Sequence, residues 1–285
     1  MIISVSNLSY SYRGKDSPAI SELNFNIQKG EIFGFLGPSG AGKTTTQRIL
    51  TGLLKDYQGD VKIFDRDLSD WERDYYEHIG VSFELPYHFN KLTAMENLEY
   101  FASLYESPTR NIEELLGKLG LLNSAEDNVS SFSKGMKNRL SMARSLLHSP
   151  ELLFLDEPTA GLDPVNARRI KEIIEEEKDN GSTIFLTTHD MTVASELCDR
   201  VSFIVEGKIE IIDNPRQLEI EYGKPTVLVE YDEEGNITTC KFPLDAIGDN
   251  EGFNSLLKEK NIKSINTQNA TLEDVFIKIT GRELL

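Results

Sequence analysis

Gly37-Pro38-Ser39-Gly40-Ala41-Gly42-Lys43-Thr44 fits the spacing G-x-x-x-x-G-K-[ST], which suits the holding of phosphates. The glycines let backbone N–H groups turn inward, and the helix that follows adds partial positive charge at its N-terminus. Lys43 would reach the outer phosphates, while Thr44, with Thr45 behind it, would offer a hydroxyl to Mg²⁺. A chance glycine-rich turn is the bland alternative, and the strand-like run Glu31–Leu36 before the loop argues against it. Further along, Leu152-Leu153-Phe154-Leu155 is an apolar strand that ends in Asp156-Glu157. Adjacent strand residues point different ways. Asp156 can therefore hold Mg²⁺ through water while Glu157 faces a water beside the terminal phosphate, as general base or water positioner. Alone, such a pair reads as two solvated carboxylates; beside the phosphate loop it reads as chemistry.

The elements that must position these groups alternate strand with helix. Helical spacing is expected over Lys43–Leu54, Met136–His148 and Arg168–Asn180, with strands at Glu151–Leu155 and Thr183–Thr187. That alternation implies parallel strands with crossover helices. After Asp199 the texture changes. Val201–Val205 and Lys208–Ile212 flank Glu206-Gly207, a hairpin signal. A boundary is expected near residue 222. Beyond it lie strands at Thr226–Tyr231 and Ile237–Phe242, around Glu233-Glu234-Gly235-Asn236, and helices at Phe253–Lys260 and Leu272–Ile279, a small α+β appendix.

The 285 residues carry a formal charge of −17, with both parts of the chain acidic. Clustered Lys/Arg for a nucleic-acid footprint are lacking, so no nucleic-acid partner is expected. Cys198 and Cys240 form no CxxC pair and read as reduced structural thiols. No apolar run approaches the roughly 18 residues of a membrane span, and the N-terminus lacks a signal-peptide pattern.

Taken in order, residues 1 to about 215 resemble the nucleotide-binding subunits of ABC transporters. Phe132-Ser133-Lys134-Gly135-Met136 matches the family's signature segment, Ala160-Gly161-Leu162-Asp163 its aspartate loop, His189 its switch histidine and Tyr12 its adenine-stacking aromatic. Tyr10 would share a strand face with Tyr12 and competes for that role. The resemblance implies an α/β fold of the phosphate-loop NTPase, ABC type. It would have a mostly parallel core sheet, an antiparallel β subdomain, a helical subdomain at about 85–150, an ATP-binding domain over 1–222 and an accessory α+β domain over 223–285. It implies ATP and Mg²⁺ as cofactors. Gly37, Pro38, Ser39, Gly40, Ala41, Gly42, Lys43, Thr44 and Thr45 would bind ATP with Tyr12. Thr44, Glu84 and Asp156 would hold Mg²⁺, and Glu157, His189 and Lys43 would act in hydrolysis. Ser133, Lys134, Gly135 and Asp163 would meet the ATP of an opposite subunit, a second copy or a homologous ATPase. A separate integral membrane permease would be driven from its cytoplasmic face.

Two positions depart from the family pattern. Glu84 stands where Gln is usual; a carboxylate can ligate Mg²⁺ but, when ionised, donates no hydrogen bond. Lys134 replaces the first signature glycine, and Met136 a glutamine. The segment after Glu84, with Tyr87, Phe89, Tyr100, Phe101 and Tyr105, combines helical core with a surface for the permease. Thr271–Arg282 resembles the closing segment of drug- and antibiotic-exporter ATPases paired with ABC-2-type permeases. Its Leu272, Val275, Phe276 and Ile279 form an apolar stripe, for the tail's own strands or for a sister subunit. The rival readings are a non-transport ABC ATPase and a nucleotide-sensing regulator with little turnover.

Overall fold

The computed structural model describes residues 1–15, 17–85, 87–233 and 235–281. Glu234 of the expected hairpin turn and Arg282 of the tail motif lie outside them. The first compact unit spans Met1–Ile212. Its elements run β1 (Ile3–Tyr10), β2 (Ile20–Ile27), β3 (Ile32–Leu36), α1 (Lys43–Leu50), β4 (Gln58–Ile63), β5 (Arg66–Asp67), α2 (Tyr75–His78), β6 (Ile79–Ser82), α3 (Ala94–Ala102), α4 (Ile112–Lys118), α5 (Lys134–Leu146), β7 (Leu152–Asp156), α6 (Pro164–Asp179), β8 (Thr183–Thr188), α7 (Met191–Leu197), β9 (Arg200–Val205) and β10 (Lys208–Asp213).

The core sheet has the order β10-β9-β3-β8-β7-β6, and β9, β3, β8, β7 and β6 pair in parallel. β3, β7 and β8 are buried along their whole length, as strands covered on both faces must be. A second, antiparallel sheet has the order β2-β1-β4-β5. Phe25 of β2 stacks on Phe33 of β3 at 5.8 Å, and Phe35, Phe154 and Phe185 complete the cluster that joins the two sheets. Burying each such ring contributes about 1.5–3 kcal/mol. The ABC-type phosphate-loop fold read from the sequence is the fold observed.

Some boundaries differ from those read in the sequence. α1 stops at Leu50 rather than Leu54, because Gly52 adopts φ 73° and the N–H groups of Leu53 and Leu54 turn back onto Arg48 O. α5 begins at Lys134, where Ser133 caps it by accepting from Met136 N at 3.2 Å. α6 begins at Pro164 rather than near Arg168, capped by Asp163. Helices α3, α4 and α5 occupy the stretch expected to be helical. α3 opens on a full capping box between Thr93 and Glu96.

The second unit begins at Asp213 and so includes α8 (Pro215–Tyr222), which the sequence boundary near 222 places with the first domain. It continues with β11 (Thr226–Glu233), β12 (Asn236–Pro243), α9 (Glu251–Glu259), β13 (Asn261–Gln268) and α10 (Leu272–Thr280). The strands form an antiparallel sheet in the order β12-β11-β13. Leu272, Val275 and Phe276 of the apolar stripe are buried, and α10 packs against α8.

Two measurements probe this frame. The Glu177 carboxylate of α6 is buried and accepts from Arg110 Nη1 at 2.5 Å and Nη2 at 2.6 Å. Glu177→Ala leaves that guanidinium half-buried and unpaired, so urea titration should show about 3–5 kcal/mol lost. A loss under about 1 kcal/mol would put the pair in the class of surface bridges. His88 Nε2 donates to Lys137 O at 3.0 Å, and burial, helped by the charges of Arg144 and Lys137, pushes its pKa down to about 4. The unfolded chain therefore binds more protons below the ordinary value of about 6.5. Stability should be full above that value and fall as pH drops from about 6.5 toward 4. His88→Gln should flatten that limb of the stability curve, and an unchanged limb would assign it to other groups.

Candidate active site

Leu36 ends β3, and the chain then folds the glycine-rich loop before Lys43 opens α1. A β-carbon at Gly37 would lie 2.1 Å from Ile204 O, so only glycine fits where the loop crosses β9. Gly42 caps α1 at φ 112°, a backbone conformation that L side chains rarely adopt. Lys43 Nζ donates to Gly37 O at 2.6 Å and Pro38 O at 3.1 Å. Two of its three donors are thus held by the loop, and the third remains for a phosphate. Burial pushes the Lys43 pKa down, against the opposing pull of Glu157, Asp156 and Glu84.

A cavity of about 330 Å³ is lined by Pro38, Ser39, Gly40, Gly42, Lys43, Thr44, Thr45, Glu84, Asp156, Glu157 and His189. Residues far apart in sequence meet there because β8 pairs with two strands at once. It sets Leu36 opposite Thr188 and Asp156 opposite Thr187. Asp156 is buried, which raises its carboxyl pKa. Hydrogen bonds from Thr187 Oγ1 and from Thr44 Oγ1, the latter at 3.3 Å, oppose that rise, and nearby Glu84 adds to it.

Glu157 is a non-glycine residue at φ 49°, a strained conformation that the surroundings must hold. They hold it well. Its N–H donates to Thr187 O, its Oε2 accepts from Thr188 Oγ1 at 3.0 Å, and its Oε1 accepts from His189 N at 3.0 Å. His189 Nδ1 lies 2.7 Å from the same oxygen. A carboxylate only accepts, so Nδ1 carries the hydrogen and a neutral His189 presents Nε2 as an acceptor. The arrangement fixes one carboxylate and one imidazole in the lining of the phosphate-loop cavity.

Tyr12 lies just beyond β1. Its hydroxyl is 3.2 Å from Thr45 Oγ1 and its ring meets Tyr10 edge to face at 5.1 Å. Tyr10 packs on the core, which leaves Tyr12, 36 % exposed, as the ring open to a base. Among the described residues, Tyr12, Gly37 and Ala41 do not line the cavity, and neither do Ser133, Lys134, Gly135 and Asp163. The last four form a separate group. A β-carbon on Gly135 would touch Leu162 at 3.2 Å, one on Gly161 would lie 3.9 Å from Lys134 Cδ, and Asn138 Nδ2 donates to Ala160 O at 3.2 Å. The aspartate loop therefore lies over the first turn of α5. Asp163 itself accepts from Val165 N, Asn166 N and Asn166 Nδ2, and these bonds lower its pKa.

A larger cavity of about 660 Å³ opens beside Tyr57, Trp71 and Tyr76 and contains none of the phosphate-loop residues, Asp156 or Glu157. Chemistry rather than size locates the site.

Three residues escaped the sequence reading. Thr187 read only as the end of a strand and Thr188 only as the neighbour of His189, yet their hydroxyls hold Asp156 and Glu157. Gln47 of α1 is fully buried, with its Oε1 3.5 Å from Thr187 Oγ1 and its Nε2 unpartnered. One hydroxyl hydrogen cannot serve both Asp156 and Gln47 Oε1. With Nε2 turned toward Thr187 the amide donates to the hydroxyl and the hydroxyl to Asp156, which gives the hydroxyl one donor and one acceptor partner. A glutamine at a buried helix position was the available signal.

A parallel sheet, a glycine loop opening a helix, and an acidic strand end beside it define a phosphate-loop nucleoside triphosphatase. Comparison with known proteins narrows the class. The family model described as ABC transporter matches residues 20–160, and that of the fluoroquinolone efflux ABC transporter C-terminal domain matches residues 225–269. A fluoroquinolones export ATP-binding protein of Mycobacterium tuberculosis is 50 % identical over 99 % of this chain and 94 % of its own length. The bacitracin transport ATP-binding protein of Bacillus licheniformis is 36 % identical over 98 % of this chain and 97 % of its own. A solved dimeric ATP-binding cassette in a post-hydrolysis state, bound to ADP and Pi, matches with a TM-score of 0.68 at 27 % identity, over 75 % of this chain and 98 % of that one. The chain belongs to the ATP-binding proteins of ABC transporters, and it is an ATPase.

Gln47→Leu keeps the volume and removes the amide. If Gln47 steadies Asp156 through Thr187, nucleotide affinity in the presence of Mg²⁺ should fall about 10-fold or more while affinity without Mg²⁺ stays the same. Equal losses under both conditions would make Gln47 a packing residue.

Proposed function

We propose that this chain is the motor subunit of an exporter of antibacterial compounds, with fluoroquinolones the first cargo to test. The observation that carries the motor role is Glu157, held in a strained conformation by Thr188 and His189 in the lining of the phosphate-loop cavity. The cargo class is supported by the fluoroquinolone and bacitracin transport roles named for the two relatives and by the efflux C-terminal domain matched at residues 225–269. Transport names on relatives aligned over nearly the whole chain weigh against a non-transport factor and against a pure nucleotide sensor.

In this reading Tyr12 stacks on adenine and the backbone of Gly37–Thr45 cradles the phosphates, with Lys43 adding its remaining donor. Thr44, Asp156 and Glu84 line one cavity with hard oxygens that suit Mg²⁺. No three His, Cys, Asp or Glu side chains among the described residues form a metal site by themselves, so nucleotide phosphates would complete the shell. The ion, when bound, neutralises phosphate charge. Glu157 orients the attacking water and takes its proton. The water oxygen bonds to the γ-phosphorus as the bond to the β–γ bridging oxygen breaks, giving ADP and phosphate. His189 holds the Glu157 carboxylate in place.

Ser133, Lys134, Gly135 and Asp163 lie outside the chain's own cavity, which suits contact with the ATP of a second copy or a homologous subunit. The related cassette solved as a dimer supports that arrangement. No helix among the described residues is long and apolar enough to cross a membrane. The transported compound would then pass through a separate integral membrane permease, of ABC-2 type by the resemblance of the tail. The chain would sit against the inner face of the membrane, with residues 1–222 as ATPase domain and 223–285 as accessory domain.

Glu157→Gln should bind ATP with near-native affinity and hydrolyse it about 10²–10⁴-fold more slowly. Turnover within a few-fold of the parent would refute the role. Fluoroquinolone accumulation in cells that express the parent or this variant with its permease tests the cargo.

A further inference from the structure

The second unit contains a cavity of about 490 Å³ at one end of its sheet, between the end of α8, the start of β11 and the helix α10. Lys224, Lys241 and Lys278 line it, together with the side-chain amides of Gln268 and Asn269. The sheet register explains part of the convergence. Thr226 stands opposite Gln268 and Leu228 opposite Lys241, and residues two apart on β11 share a face, so Gln268 and Lys241 emerge on one side. Lys278 is steered by its bond from Nζ to Tyr222 O at 2.8 Å, with the Tyr222 ring beneath it.

This is an unusual place to gather cations, because the chain has 30 Lys and Arg against 47 Asp and Glu. Elsewhere in the unit lysines find carboxylates, as Lys260 finds Glu233 at 2.6 Å and Lys263 finds Asp232 at 3.3 Å. Among the described residues none of the three cavity lysines forms an ion pair within 4 Å, and the one carboxylate in the lining, Asp274, accepts from Thr271 N and Oγ1 through Oδ2 and feels the charge of Lys241, which leaves three lysines against one carboxylate. Ammonium and amide groups offer donors, and lysine is a point-charge partner for phosphate. The volume exceeds a bare phosphate and suits a small organic one.

We propose that Lys224, Lys241 and Lys278 form a binding site for a phosphate ester in the C-terminal unit, separate from the ATP site. The ester could be a soluble metabolite or the headgroup of an anionic phospholipid; the chemistry recognised is the same.

The test uses the full chain with its ATP site saturated by Mg·ADP. Calorimetry with glycerol 3-phosphate reads the soluble source. Co-flotation with vesicles of phosphatidylcholine, with or without phosphatidylglycerol, reads the headgroup. The double variant Lys224→Gln, Lys241→Gln is compared with the parent, and unchanged circular dichroism and an unchanged urea-unfolding transition verify that both units fold. Lys278 is left intact because it also ties α10 to Tyr222. Binding in either arm that weakens at least tenfold in the variant and falls with added salt supports the site, and the arm that binds names the source. No binding in either arm, or binding that the variant retains, overturns the proposal.

Discussion

Everything at the ATP site hangs on the register of one strand. β8 pairs on one side with β3, which delivers the phosphate loop, and on the other with β7, which delivers the carboxylates. Its last two residues do the fixing. Thr187 holds Asp156 and Thr188 holds Glu157, each through a hydroxyl. A slip of one residue would turn both hydroxyls to the wrong face of the sheet. The packed rings of Phe25, Phe33, Phe35, Phe154 and Phe185 stabilise that register, because β3, β7 and β8 each contribute a ring to one cluster. Packing far from the chemistry thus sets the chemistry to within a hydrogen bond.

The charge balance follows from the same placement. Lys43 sits among Asp156, Glu157 and Glu84, one ammonium against three carboxylates, and burial pulls its pKa down while they pull it up. A cavity so acidic would repel a triphosphate if side chains alone decided. Backbone N–H groups of the loop and the N-terminus of α1 would offset that repulsion, and a divalent cation would complete the balance. Glu84, in place of the family's usual glutamine, adds to the rise of the Asp156 pKa and places a further carboxylate in the cavity lining.

Much of this was legible in the sequence where the information is local. The phosphate loop and Asp156-Glu157 are contiguous motifs whose flanking hydrophobic runs announce their strands. The end of α1 was misjudged because apolar Leu53 and Leu54 continue the periodicity past Gly52, and only the backbone turn at that glycine reveals the stop. β13 went unread because Asn261–Gln268 is polar and mostly exposed, without the apolar alternation that marks a strand. Gln47 and Thr187 were illegible for another reason. They are 140 residues apart, and no single-residue pattern announces a partnership made by folding.

The molecule shows two ways for an acidic chain to hold an anion. The ATP site relies on backbone N–H groups, a helix terminus and one buried lysine whose ammonium is already tethered to Gly37 O and Pro38 O. Such a site loses little to added salt, because its partners are shielded from solvent and need no ordering. The cavity of the second unit relies on lysines at a surface, point charges on flexible stems, where salt screens the attraction and ordering each stem costs entropy. The first design suits tight binding of a nucleotide that must be cleaved in a defined geometry. The second suits reversible binding of an anion, because three lysines face one carboxylate in that lining, Asp274, and among the described residues none of the three is tied up in an ion pair.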